Sequence, residues 1–174
     1  GLESPDNSRT GKDAPQMTIS VGDKIPEVTL VKATPEGPQA VKSSEYFAGK
    51  KIALFSVPGA FTPTCSAKHL PGFVEKAGDL KAKGVDEIVG TAVNDAFVMG
   101  AWNKAQGSDD ITMLADGNAE FVKAIGLTMD GPGFGMGTRG QRFSMVINDG
   151  VVAQLNVEEP GDFNVSRADH LLGQ

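Results

Sequence analysis

The apolar run Ile52-Ala53-Leu54-Phe55-Ser56-Val57 stops at Pro58-Gly59. A run of that length, closed by a turn signal, predicts a buried strand. Three residues later Thr62 stands directly before Pro63. Threonine suits a helix N-cap, and proline suits the first helical position, where a missing N–H removes no bond. The local order is therefore strand, tight turn, helix, and Cys65 falls in the first helical turn. There the free backbone N–H groups and the positive end of the helix dipole favour an anion. A sulfur in that place is favoured as thiolate, its reactive form.

Cys65 is the one cysteine of the 174 residues, so no intramolecular disulfide can form. That points to a reducing compartment, read as cytoplasmic, with an organelle matrix open if a targeting peptide has been removed. The length suits one compact domain over 17–174. Residues 1–16 are rich in Gly, Ser, Pro, Asp and Lys and read as a disordered leader or cloning remnant, with Met17 as the natural start. The formal net charge of -6 offers no basic patch for a nucleic acid. No apolar run approaches the ~20 residues of a membrane span. No His/Cys/Asp cluster at ligand spacing suggests a metal, and no cofactor is expected.

Along the chain, residues 27–42 predict a hairpin about Thr34-Pro35-Glu36-Gly37, and 43–47 a short helical turn. After Cys65, Pro71-Gly72 kinks or restarts a helix whose apolar stripe is Phe73, Ala77 and Leu80, with Gly84 as C-cap. A strand over 87–93 leads to a helix capped by Asn94-Asp95, with Phe97, Val98, Ala101, Trp102 and Ala105 as its apolar side. A short strand at 111–115 and a helix from Asn118 to Ile125 follow. Five glycines between Gly131 and Gly140 read as a flexible loop rimming the site. The segments 141–148 and 151–157 form a hairpin about Asp149-Gly150, a strong type I′ signal. Ser166 caps a last helix. The order gives an α/β class, a thioredoxin-like fold with a mixed central β-sheet flanked by helices.

Pro58, Thr62 and Cys65 fit the pattern P-x-x-x-[TS]-x-x-C. With His69-Leu70-Pro71-Gly72-Phe73, Val93-Asn94-Asp95-Ala96-Phe97-Val98 and Arg142-Phe143-Ser144-Met145-Val146, the chain from about Thr18 to its end resembles the peroxiredoxins, in particular the type II (atypical, peroxiredoxin-5-like) subfamily. The resemblance implies a peroxidatic Cys65, held ionised by Arg142, which also contacts the peroxide. It implies a Thr62 hydroxyl that meets sulfur and substrate oxygen, and a Pro58 that shields the thiolate from water. The implied substrates are hydrogen peroxide, alkyl hydroperoxides and often peroxynitrite. Some relatives carry a resolving cysteine; the matching stretches here, 89–92 and 163–167, have none. The resemblance therefore implies an external thiol, glutathione with glutaredoxin first and thioredoxin second. It also implies a homodimer with the 97–102 helix and the glycine-rich loop near the interface.

Other readings compete. A lone cysteine is most often a small buried hydrophobe. Arg142, alternating with apolar residues on its strand, has Arg139 as a rival, since a one-residue slip exchanges their faces. Thr62 is fully explained as a cap, and Pro58 as a turn residue. His69, four residues after Cys65, shares a helix side with it and would suit a cysteine hydrolase, but no third orienting group is evident; a packing or hydrogen-bonding role near the pocket is preferred. The glycine run precedes a strand, the wrong context for a nucleotide site. A non-catalytic redox sensor uses the same cysteine and is separated from an enzyme by turnover.

Overall fold

The computed structural model describes residues 18–130 and 135–173; the leader expected at 1–16 lies outside them. The first hairpin forms as β1 (Thr29–Thr34) and β2 (Gly37–Lys42), followed by α1 (Ser43–Tyr46). The apolar run is β3 (Lys51–Ser56), buried from Ile52 onward. After the turn, a π-helical segment (Cys65–His69) runs into α2 (Leu70–Glu75) and α3 (Ala77–Ala82). Then come β4 (Glu87–Ala92), α4 (Ala96–Gln106), β5 (Ile111–Ala115) and α5 (Glu120–Ile125). A small ladder of β6 (Thr128–Asp130) and β7 (Thr138–Gly140) precedes β8 (Phe143–Asn148), β9 (Val151–Val157) and α6 (Ala168–Leu172).

Seven strands form one sheet in the order β2-β1-β5-β4-β3-β8-β9. The central β3, β4 and β5 are parallel and their flanking neighbours antiparallel, the mixed sheet expected. Side chains alternate across it. Ala53 and Phe55 join Leu70, Phe73, Leu80, Met99 and Trp102 on one face, together with Cys65. Ile52 and Leu54 join Phe47, Phe121, Val122 and Ile125 on the other. The turns behave as their residues dictate: Asp149 and Gly150 both take positive φ, 51° and 79°, as a type I′ hairpin requires.

Several local expectations are corrected. The helix does restart at Pro71, in the first turn of α2, but the stripe expected to run on through Ala77 and Leu80 is divided by a second break at Lys76. Pro71 lacks an N–H, and its ring would collide with the carbonyl four residues back, that of Ala67; the wider π turn ends just before it. In α4 the inward side is Ala96, Met99 and Trp102, whereas Phe97 is 73 % exposed and Ala101 and Ala105 also face out. The Asp95 carboxylate accepts from Val98 N at 2.8 Å and fixes where the helix starts; 96, 99 and 102 lie at helical spacing on the face packed into the core. Helix α5 starts two residues after Asn118, because buried Asp116 accepts from Phe121 N and Val122 N at 3.0 and 3.1 Å. Ser166 does not cap α6; it is buried and donates to Glu158 at 2.7 Å.

Gly90, at the middle of β4, lies between Phe55 and Met113: an added Cβ would sit 2.9 Å from Phe55 Cζ and 3.1 Å from Met113 Sδ. Overpacking of this kind costs about 1–3 kcal/mol. Gly90→Ala is therefore expected to lower the melting temperature by several degrees in a thermal scan; an unchanged midpoint would mean that Phe55 moves aside freely.

Candidate active site

Everything the sequence singled out as chemically active lies at the carboxyl ends of the parallel strands, where open α/β sheets gather their ligands. Beyond β3, Val57 is buried and Pro58-Gly59 turns the chain. Asn94, just past β4, reaches across and accepts from Ala60 N at 3.0 Å. Phe61 takes the left-handed conformation (φ 64°) and leaves its ring 54 % exposed, a strained setting for a bulky residue that costs about 1–3 kcal/mol. Helical structure begins at Pro63, and Ser66 N closes the first turn on the Thr62 carbonyl at 2.9 Å. The Thr62 hydroxyl does not cap this helix; it donates back to the Gly59 carbonyl at 2.7 Å.

Cys65 is fully buried. Arg142 comes from the other side of the sheet's end, immediately ahead of β8 rather than within it. Its Nη2 donates to Cys65 Sγ at 3.1 Å, and its Nη1 donates to His69 Nδ1 at 2.9 Å. A planar fork holds two acceptors at once in a way an ammonium cannot. Arg139, the rival, lies at the rim: its Nε donates to the Met136 carbonyl at 2.9 Å and its Nη1 to the Pro58 carbonyl at 3.4 Å. Of the residues expected at the site, the structure brings Arg142 into contact with Cys65; Thr62 lies within one turn ahead of Cys65 with its hydroxyl on the Gly59 carbonyl, and the Pro58 carbonyl faces Arg139 rather than Arg142. Arg139 buttresses the turn that carries Pro58, in the company of Met136 from the glycine-rich segment.

The residue the sequence underrated is His69. Because Arg142 can only donate, Nδ1 must accept, and Nε2–H then donates to the Ser166 carbonyl at 3.0 Å. Ser166 is held by the buried carboxylate of Glu158, which accepts from Ser166 N at 2.8 Å, Ser166 Oγ at 2.7 Å and Asn164 N at 2.6 Å. Burial opposes charge on Glu158, but these hydrogen bonds outweigh it and keep its carboxyl below the usual range. The rings of Phe55, Phe73 and Phe163 surround the imidazole at 5.1, 5.7 and 5.3 Å. Both ring nitrogens are occupied, so His69 is not placed as a base toward Cys65, and a cysteine-hydrolase reading loses its pair. Glu158 left no sequence signal and Ser166 reads there only as a helix cap, since its part in the site is played by its backbone carbonyl.

Burial first, and the Arg142 charge second, push His69 from 6.5 down to about 3, against the opposing pull of the Ser166 carbonyl and Glu158. The folded protein therefore leaves His69 neutral where the unfolded chain protonates it. This contribution to stability is complete above pH 6.5 and is lost as pH falls from 6.5 toward 3, with a slope of at most about 1.4 kcal/mol per unit. His69→Gln, which keeps a donor and an acceptor but does not titrate, is expected to flatten that part of the curve. The check is denaturant unfolding of both proteins between pH 4 and 8; parallel curves would remove His69 from the account. His69→Leu instead leaves Nη1 of half-buried Arg142 unpaired, a loss of stability of about 1–3 kcal/mol that the same unfolding curves measure.

Among the described residues no group of three or more His, Cys, Asp or Glu is placed to hold a metal ion, and no helix is long and apolar enough to cross a membrane. The arrangement can stabilise negative charge at one buried sulfur.

The family model described as Redoxin matches residues 20–172. The rice protein Peroxiredoxin-2E-2, chloroplastic is 50 % identical over 161 residues, which cover 89 % of this chain and 72 % of the relative. A crystal structure of reduced Prx3 in complex with hydrogen peroxide from Vibrio vulnificus superposes with a TM-score of 0.87 at 54 % identity, covering 90 % of this chain and 98 % of that one. Peroxiredoxin 5 from Alvinella pompejana gives a TM-score of 0.78 at 34 % identity, over 88 % of this chain and 96 % of its own.

Proposed function

The chain belongs to the redoxin family, and within it to the type II, peroxiredoxin-5-like peroxiredoxins, thiol-dependent peroxidases; from that premise we propose that Cys65 is its peroxidatic nucleophile and Arg142 its main catalytic donor. The observation that carries the assignment is the 3.1 Å contact of Arg142 Nη2 with a fully buried sulfur. The Vibrio relative was solved with hydrogen peroxide, which supports the same substrate here, with alkyl hydroperoxides beside it.

In the proposed step the Cys65 sulfur attacks one peroxide oxygen. The S–O bond forms as the O–O bond breaks, the attacked oxygen keeps its hydrogen, and the other leaves as alkoxide or hydroxide and takes a proton. Negative charge passes from sulfur to the leaving oxygen, and preorganised donors lower such a barrier. Arg142 supplies a fixed positive fork at the sulfur. Thr62, beside the turn, is proposed to turn its hydroxyl toward the reacting atoms, and Pro58 to exclude water. Neither role needs a resident cofactor. The product is the Cys65 sulfenic acid.

With one cysteine in the chain, recycling falls to an external thiol, glutathione with glutaredoxin or else thioredoxin. One thiol displaces the sulfenic oxygen as water and forms a mixed disulfide; a second releases Cys65 and leaves as the disulfide. The proposed compartment is the cytoplasm or an organelle matrix; a rice relative named chloroplastic supports the latter. The proposed assembly is a homodimer using exposed Phe97 and Phe61. Trp102, expected near that interface, is fully buried, so the face is narrower than the helix.

Trp102 nonetheless serves the test, because its Nε1–H donates at 2.9 Å to the Ser66 hydroxyl, next to Cys65. Reduced protein mixed with hydrogen peroxide is expected to change fluorescence orders of magnitude faster than a free thiol reacts. Mass spectrometry should place one oxygen on Cys65, and added thiol should support repeated turnover. A rate like that of a simple thiol would overturn the assignment; fast oxidation without turnover would make the protein a sensor.

A further inference from the structure

Outside the site, a groove of about 780 Å³ runs along the outer side of the π-helical segment, α2 and the start of α6. Its volume suits a ligand the size of a small peptide. The chain is acidic as a whole, yet this groove is lined by Lys68, Lys76 and Arg167 against Glu75 and Asp169. Asp169 is already paired with Arg167 at 2.9 Å, whereas Lys68 and Lys76 have no ion pair among the described residues.

The groove also adjoins the reaction centre through one side chain. Phe163 lines it, and the same ring meets His69 edge-on at 5.3 Å and lies 5.8 Å from the Arg142 guanidinium. Arg142 in turn touches Cys65 Sγ. Phe163 thus touches both the groove and the groups around the sulfur.

We propose that this groove binds the reducing thiol, and that it selects a small thiol carrying two carboxylates and an ammonium group. Lys68 and Lys76 take the carboxylates, Glu75 takes the ammonium, and Phe163 is the partition that moves aside when the thiol sulfur approaches Cys65. The proposal rests on the peroxidase reading. The bound thiol attacks the sulfenic sulfur; the S–S bond forms, the S–O bond breaks, and the hydroxyl departs as water with the thiol's proton.

The test starts from protein oxidised with one equivalent of hydrogen peroxide. It is mixed with glutathione (anionic), 2-mercaptoethanol (neutral) or cysteamine (cationic) at matched thiolate concentration, and Trp102 fluorescence is followed. Glutathione is expected to react fastest and to saturate, cysteamine slowest. In the charge-reversed variant Lys68→Glu/Lys76→Glu, whose sites lie at the surface and leave the fold intact, the half-saturating glutathione concentration should rise roughly tenfold. The 2-mercaptoethanol rate and the rate of oxidation by peroxide should stay unchanged. S-methylglutathione, which cannot react, should bind the unmodified protein in calorimetry and fail to bind the variant. Phe163→Ala should speed reduction by all three thiols. Sulfenic acid that forms normally but is reduced without saturation, and without regard to thiol charge, overturns the groove and leaves the peroxidase reading standing. Failure of the sulfenic acid to form at all overturns both.

Discussion

Cys65→Ser is expected to abolish peroxide consumption while leaving the fold in place. Oxygen for sulfur at a fully buried position shrinks the side chain slightly and keeps a group able to accept from Arg142. The chemistry is another matter. A serine hydroxyl becomes a nucleophile only beside a base that takes its proton. The one imidazole nearby cannot serve: its Nδ1 lone pair is engaged by Arg142 and its Nε2–H by the Ser166 carbonyl. The second-order rate constant with hydrogen peroxide should therefore fall by more than about a thousandfold, with the melting curve close to that of the unmodified protein. Stopped-flow fluorescence and circular dichroism measure the two. Residual activity within tenfold of the original would place the reacting atom elsewhere, and a collapsed melting curve would show that the sulfur holds the core rather than the reaction.

The parts of this architecture that were legible in the sequence are those dictated by neighbours along the chain. The run 52–57 made its strand because its apolar residues cannot stay in water, and Pro58-Gly59 ended it because the strand ladder has no use for either. Asp149-Gly150 made its hairpin because both residues tolerate positive φ. The failures share a different cause. Helix α4 offers two apolar stripes, and only packing against Ala33 and the sheet chooses Ala96, Met99 and Trp102 over Phe97, Ala101 and Ala105. Asp116 takes over the start of α5 from Asn118 because it is buried beneath it. Within the site, Cys65 was visible from its place in a helical turn, but Arg142 lies 77 residues further along. Periodicity alone could not choose between it and Arg139, and the motif made the choice. His69 was seen without its function, because what gives it one is the carbonyl of Ser166, held in turn by Glu158; backbone acceptors carry no residue code.

Arg142 is where the geometry makes its strongest demand. Arg142→Gln is expected to lower the rate constant with hydrogen peroxide by about 100- to 1,000-fold, the usual loss when a preorganised donor is taken from a site where charge develops. Two effects add: the donor at 3.1 Å from sulfur disappears, and so does the positive charge that stabilises the attacking sulfur and the departing oxygen. Arg142→Lys should recover only part of the loss, because a compact ammonium reaches Cys65 Sγ or His69 Nδ1 but does not span both as the guanidinium does. A second readout separates this from a general loosening of the core. Arg142 is the second-largest influence holding His69 down to about 3, after burial, so in Arg142→Gln the imidazole should titrate upward, toward 6.5, by nuclear magnetic resonance. A slow variant whose His69 still titrates near 3 would mean that the arginine acts at a distance from the imidazole. A variant that keeps its rate would mean that the buried sulfur draws its reactivity from the helical turn alone, with the guanidinium only filling space beside it.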